Sequence, residues 1–180
     1  MSGNRPQRSV PLAILVLAAG SALAAPASPS AGRTPGSEAF ERFKALAGEW
    51  VAAEDGDMSK KGDLVARYAV TAAGSAVVET VFPGTEHEMV TVYHADGKDL
   101  VLTHYCMDGN QPRMRAKAPR GSRYDFTFDG GANIDPSRDR HMNSASVELV
   151  GADEIRTVWT ELALGKPVFV AKSRLLRKPR

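Results

Sequence analysis

Cysteine is nearly absent from this chain: Cys106 stands alone among 180 residues, so no internal disulfide can brace the fold. Stability must come from buried apolar surface, and roughly 140 ordered residues suffice for one core. An apolar run of membrane-spanning length, roughly 20 residues, is also missing. The nearly apolar stretch Val10 to Leu23 is shorter and gives way at once to Pro and Ser. Charge of one sign is not in excess either. The chain carries 23 basic and 21 acidic residues, and removal of Arg5 and Arg8 leaves 21 against 21. A neutral chain lacks the broad positive field that attracts nucleic acid, so no nucleic-acid partner is expected. The basic tail RLLRKPR reads as a solvated strand end. No G-x-S-x-G elbow occurs, and Ser75 falls in a turn, which leaves no serine nucleophile.

The N-terminus sets the compartment. A basic leader (Arg5, Arg8), the apolar stretch, and the small-x-small pattern Ala22-Leu23-Ala24 make residues 1–24 a signal peptide, with cleavage expected after Ala24. Export to a bacterial periplasm or beyond follows, with no stable membrane insertion after cleavage. No cysteine sits at the cleavage site, which argues against a lipoprotein. Ala25 to Gly36 is Pro, Ser, Ala and Gly with almost no large apolar group, so a flexible leader is expected there. Residues 37–180 then form a single domain.

Ser37 makes an N-cap, and Phe40, Phe43, Leu46 and Ala47 recur at helical spacing, so one short amphipathic helix should end at Gly48. Beyond it the period changes to two. Strands are expected near Trp50–Glu54, Leu64–Ala72, Ala76–Phe82, Glu88–His94, Asp99–Cys106, Pro112–Ala118, Arg123–Asp129, Ser144–Val150, Glu154–Leu162 and Pro167–Leu176. The turn signals AAGS, PGTE, ADGK, MDGN, VGAD and ALGK separate them. The fold class is therefore all-β, a roughly ten-stranded antiparallel up-and-down barrel with one short N-terminal helix. Closure removes unpaired edges, and the hairpin-after-hairpin order favours a barrel over a two-sheet sandwich.

The join LAGEWVA carries Gly48, Glu49 and Trp50 and resembles the G-x-W signature of lipocalins and related barrels. That resemblance implies a Trp closing one barrel end against a basic side chain of the last strand, with Arg174 as the matching candidate. The stretch Gly74 to Ala116, with FTFDGGANIDP and HMNS later, resembles a family of exported bacterial proteins with lipocalin-like barrels, over roughly Phe40 to Arg174. The chain departs from that family's His-Met-His pattern at His141-Met142-Asn143, and the family brings no established activity. Haem-binding barrels of similar shape use a histidine near the C-terminal strands. No histidine follows His141, so no haem or other cofactor is expected.

The densest polar stretch is LTHYCMDGNQPRMRA, Leu102 to Ala116. An Asp96-Gly97 hairpin loop would set Met89 opposite His104 and His87 opposite Cys106, a weak set of metal-ligand candidates (His87, His104, Cys106) for Cu or Zn. A shift of one residue would split those histidines between two faces. Cys106 beside His104 suits a buried small hydrophobe better than a nucleophile–base pair, because alternate strand side chains stand roughly 6–7 Å apart. Glu79, Glu88, Glu148 and Glu161 are strand residues expected to point outward. The loop Asp129 to His141 lacks a calcium loop's closing Glu. In RMRAKA, an outward basic set with Met114, Ala116 and Ala118 inside is preferred to guanidinium groups facing a buried anion.

These readings converge on a small-molecule-binding barrel for an amphipathic or apolar ligand, rather than a catalyst. The residues expected at its cavity or rim are Tyr93, His104, Tyr105, Asn110, Gln111 and Arg113. The alternatives are a periplasmic enzyme using His104 with a nearby carboxylate, and a ligand-free interaction barrel. A homodimer is left open.

Overall fold

The computed structural model describes residues 33–179; the expected signal peptide, and the expected leader as far as residue 32, lie outside the described residues. One helix, α1 (Pro35–Lys44), precedes ten strands. These are β1 (Gly48–Ala52), β2 (Leu64–Thr71), β3 (Ala76–Val81), β4 (Met89–Asp96) and β5 (Asp99–Tyr105). The remainder are β6 (Gln111–Ala116), β7 (Arg123–Ala132), β8 (His141–Leu149), β9 (Glu154–Ala163) and β10 (Lys166–Arg177). Every strand pairs antiparallel with its sequence neighbours, and β1 pairs with β10, so the sheet closes as an up-and-down barrel. Each expected strand is present, with its ends moved by a few residues.

The helix begins earlier than its periodicity indicated. Thr34, not Ser37, is the N-cap; Pro35 occupies the first turn, and Ser37 answers Thr34 as the far side of a capping box. The expected leader is therefore two residues too long. α1 seals one end of the barrel. Phe43 is fully buried and packs on Tyr93, Tyr124 and Phe126, with ring centroids at 4.8, 5.2 and 6.3 Å. Thr34 donates its hydroxyl to the Gly97 carbonyl in the β4–β5 turn. Gly36 is required at this join, since a Cβ there would lie 2.3 Å from the Asp99 carbonyl oxygen.

Alternation decides which side chains line the barrel. Trp50, Tyr68, Val77, Tyr93, Leu102 and Met114 fill the half nearest α1, and all are essentially buried. Trp50 donates its indole N–H to the Leu46 carbonyl at 2.9 Å. Its basic partner is Arg177 rather than Arg174: the Arg177 guanidinium lies 4.4 Å from the Trp50 ring centroid. The register explains the correction, because Trp50 faces Arg177 directly across the β1–β10 seam. Arg177 also donates to the Ala45, Ala47 and Ala152 carbonyls, tying the end of the helix to the seam. Arg174 instead forms a two-pronged pair with Glu154, at 3.0 Å for both contacts. The helix ends at Lys44 with Ala45 as its C-cap, short of Gly48, and Gly48 instead begins β1, with φ of 136°. Among the described residues no helix is long and apolar enough to cross a membrane.

Arg177→Ala should lower stability by about 2–3 kcal/mol, from the lost ring contact and the carbonyls it leaves unpaired. Arg174→Ala should cost less than about 1 kcal/mol, as an exposed pair does. Urea midpoints of the two variants test that order.

Candidate functional site

The half of the barrel away from α1 is not filled. A cavity of about 80 Å³ lies inside it and opens at the barrel mouth, where the 53–63 loop bends over the rim. Its walls are largely apolar, with Val81, Phe82, Met89, Met142, Trp159 and Phe169 prominent.

Three neighbouring strands set a polar row at one level of this cavity. The registers place Glu79 of β3 beside Thr91 of β4, and Thr91 beside His104 of β5. The inward row of β3 thus reads Val77, Glu79, Val81. Glu79 is buried and accepts hydrogen bonds from both Tyr68 and Tyr93, each hydroxyl 2.7 Å from one carboxylate oxygen. Among the described residues no basic side chain pairs with it. Burial raises its pKa above the usual carboxylate range, and the two tyrosine hydroxyls oppose that shift.

His104 is 3% exposed, with Nδ1 2.9 Å from the Thr91 hydroxyl oxygen. Its ring lies against Trp159, centroids 5.1 Å apart. The other ring nitrogen, Nε2, is buried without a hydrogen-bond partner, and His104 lines the cavity. Burial lowers its pKa to about 4, so the imidazole is neutral at pH 7. A neutral ring with one nitrogen committed to Thr91 offers the other as a single donor or acceptor, according to tautomer.

The residues expected around this cavity fare unevenly. His104 lines it. Tyr93 lies one layer deeper, packed on Phe43, and reaches the site only through its bond to Glu79. Tyr105 is the next residue along β5, so alternation turns it outward, where it is 50% exposed. Arg113 also faces out and donates to the Asp129 carbonyl at 3.2 and 2.8 Å. Gln111 bonds Gly109 and Asn133 at the surface. Asn110 is buried and donates its amide N–H to the Arg140 carbonyl, 2.6 Å away, while its Oδ1 has no partner. None of these four lines the cavity.

The imagined metal set is likewise dispersed. The hairpin loop is Gly97-Lys98, with Asp96 facing Asp99, so Thr91 rather than Met89 stands opposite His104. His87 sits in the loop after β3, half-exposed and 3.7 Å from Glu86. Cys106 lies beyond the end of β5, and burial raises its thiol pKa, the opposite of what a nucleophile needs. Among the described residues no three His, Cys, Asp or Glu side chains are grouped to hold a metal ion.

Two of the four glutamates expected to point outward are buried. Glu79 is the first. Glu161, 3% exposed, receives both prongs of Arg140 at 2.9 and 2.6 Å. Sequence reasoning missed Glu79, although its signal was present: it interrupts an alternate row of valines. The adjacent row, Val78 and Thr80, was equally plausible as the inner one.

No protein-family model matches the chain, and no curated protein matches it significantly. The site therefore rests on its own geometry.

Its titration gives two checks. Unfolded histidine binds a proton near pH 6.5, but folded His104 does so only near pH 4, so acid favours the unfolded chain across that window. From pH 7 to pH 4 the unmodified chain should lose about 3 kcal/mol more stability than His104→Gln, measured by urea unfolding. Glu79 has the opposite sign. Its raised pKa makes its contribution most favourable in acid and lost as pH rises, so Glu79→Gln should gain stability relative to the unmodified chain as pH rises above the ordinary carboxylate range.

Proposed function

We propose that this protein is an exported, lipocalin-like barrel that binds a small amphipathic or apolar molecule. One observation carries the reading. The barrel interior beside α1 is filled by buried side chains, but an apolar cavity remains at its mouth, lined in part by His104, whose buried Nε2 has no partner. Side-chain packing normally eliminates such voids, and a buried polar atom without a partner costs free energy. A ligand with one polar atom and an apolar body would relieve both. The cavity's volume fits a small head group, while its opening lets a longer body extend past the 53–63 loop.

The arginines support an uncharged or cationic ligand over an anionic one, since Arg113 and Arg115 are both engaged outside the barrel, with Asp129 and with Asp96 and Asp99. A second reading, an enzyme using His104 with a carboxylate, draws on the presence of Glu79 in the same cavity. Against it, His104 is held by a threonine hydroxyl, and both oxygens of Glu79 are engaged by tyrosines. Such a pair is arranged to stay put rather than to pass a proton.

Native mass spectrometry of protein purified from its own periplasm should show a chain starting at Ala25 that carries one small organic molecule. In titrations followed by the emission of Nile red itself, the dye should bind one per barrel, and Val81→Trp, which fills the cavity, should weaken binding at least tenfold. Equal binding by the filled variant, with its circular dichroism unchanged, would remove the proposal.

A further inference from the structure

The carboxylate at the cavity floor has no counter-charge of its own, and this narrows the ligand. Glu79 lies in the barrel interior with tyrosine hydroxyls as its hydrogen-bond donors and, among the described residues, no guanidinium or ammonium paired with it. Each oxygen accepts one hydrogen bond and keeps further acceptor capacity. Lys172 also borders the cavity, but it occupies an outward position of β10, opposite Val158, with its side chain in solvent. The other ionisable group facing the cavity from this row is the neutral His104, whose Nε2 lacks a partner.

Resting on the small-molecule reading above, we infer that the pocket is built for a small amphipathic amine, its ammonium group between Glu79 and His104. The two residues flank Thr91, which puts their backbones about 10 Å apart, two strand spacings, with their side chains sharing one cavity. An ammonium has three N–H donors and no acceptor. Carboxylate oxygens of Glu79 take one or two, and His104 Nε2 takes another when Nδ1–H donates to Thr91. Trp159, tilted against His104, adds an aromatic face to a cation held there. The apolar body of the amine then lies against Met89, Met142 and Phe169 toward the mouth. An anionic ligand meets Glu79 and no inward cation. A neutral ligand leaves the carboxylate uncompensated, which burial makes costly.

Three six-carbon probes of equal length, n-hexylamine, 1-hexanol and hexanoate, separate the cases by calorimetry at pH 7. The expected order is amine at least tenfold tighter than alcohol, with hexanoate weakest. Glu79→Gln should bring amine and alcohol to equal affinity while retaining alcohol binding. In the unmodified chain, the pH at which the carboxyl carbon signal of Glu79 titrates should fall on saturation with hexylamine but not with hexanol, a readout that needs no variant. Alcohol or hexanoate binding as tightly as the amine would overturn the amine inference and leave the pocket reading standing. Failure of all three probes to bind would overturn both.

Discussion

Nine of the ten strand pairings in this barrel join sequence neighbours, and hairpin connectivity supplies them. The tenth, β1 with β10, joins residues far apart in the chain, and everything inside the barrel depends on it. Without closure there is no interior for alternate side chains to face, and the sheet has two open edges. The seam is short: three residue pairs, from Trp50 with Arg177 to Ala52 with Leu175. Its hydrogen bonds alone are a modest latch for so distant a pairing. The Trp50 indole under the Arg177 guanidinium reinforces it, and Arg177 also gathers carbonyls from the helix end and from the β8–β9 turn. One side chain thus connects plug, seam and turn.

Closure in turn produces the contrast between the two halves of the interior. Beside α1, aromatic rings from the helix and four strands interlock, and no space is left. Toward the mouth, small or polar inward residues (Ala171, Ser173, Thr157) stand among the larger apolar ones, and among the described residues no helix descends to fill the gap. The same alternation that brings Val77 and Tyr93 into the core brings Glu79 and Thr91 into the next layer. A buried carboxylate is the consequence, and its tyrosine partners come from the adjoining strands, Tyr68 directly opposite on β2 and Tyr93 one inward position deeper on β4.

Period and punctuation were enough to read the strands, the turns and the closed meander from residues alone, because local propensity and tertiary structure agree at those positions. Register was harder. The β4–β5 loop uses Gly97-Lys98 instead of Asp96-Gly97, a shift of two in the pairing sum, so His104 kept its inward face while its partner changed from Met89 to Thr91. Arg174 and Arg177 lie three residues apart on one strand and so face opposite sides; only the seam register selects between them. The start of α1 was hidden because Thr34 and Pro35 sit in a segment whose composition reads as unstructured. The rim candidates at 105, 111 and 113 failed for a common reason: a polar residue on a half-buried strand usually points to water.

The two walls of the cavity differ in regularity. β3, β4 and β5, which carry Glu79, Thr91 and His104, run in unbroken register. The opposite wall has extra residues interrupting its ladders, between Met142 and Ser144 on β8 and between Pro167 and Phe169 on β10. Bulged ladders leave backbone groups uncommitted and bend more readily than regular ones. On the proposed reading, the regular side would act as the template for a head group, and the bulged side as the part that adjusts to guests of differing girth. Stringency toward the head group and tolerance toward the tail would then be separate properties of one pocket, open to change independently.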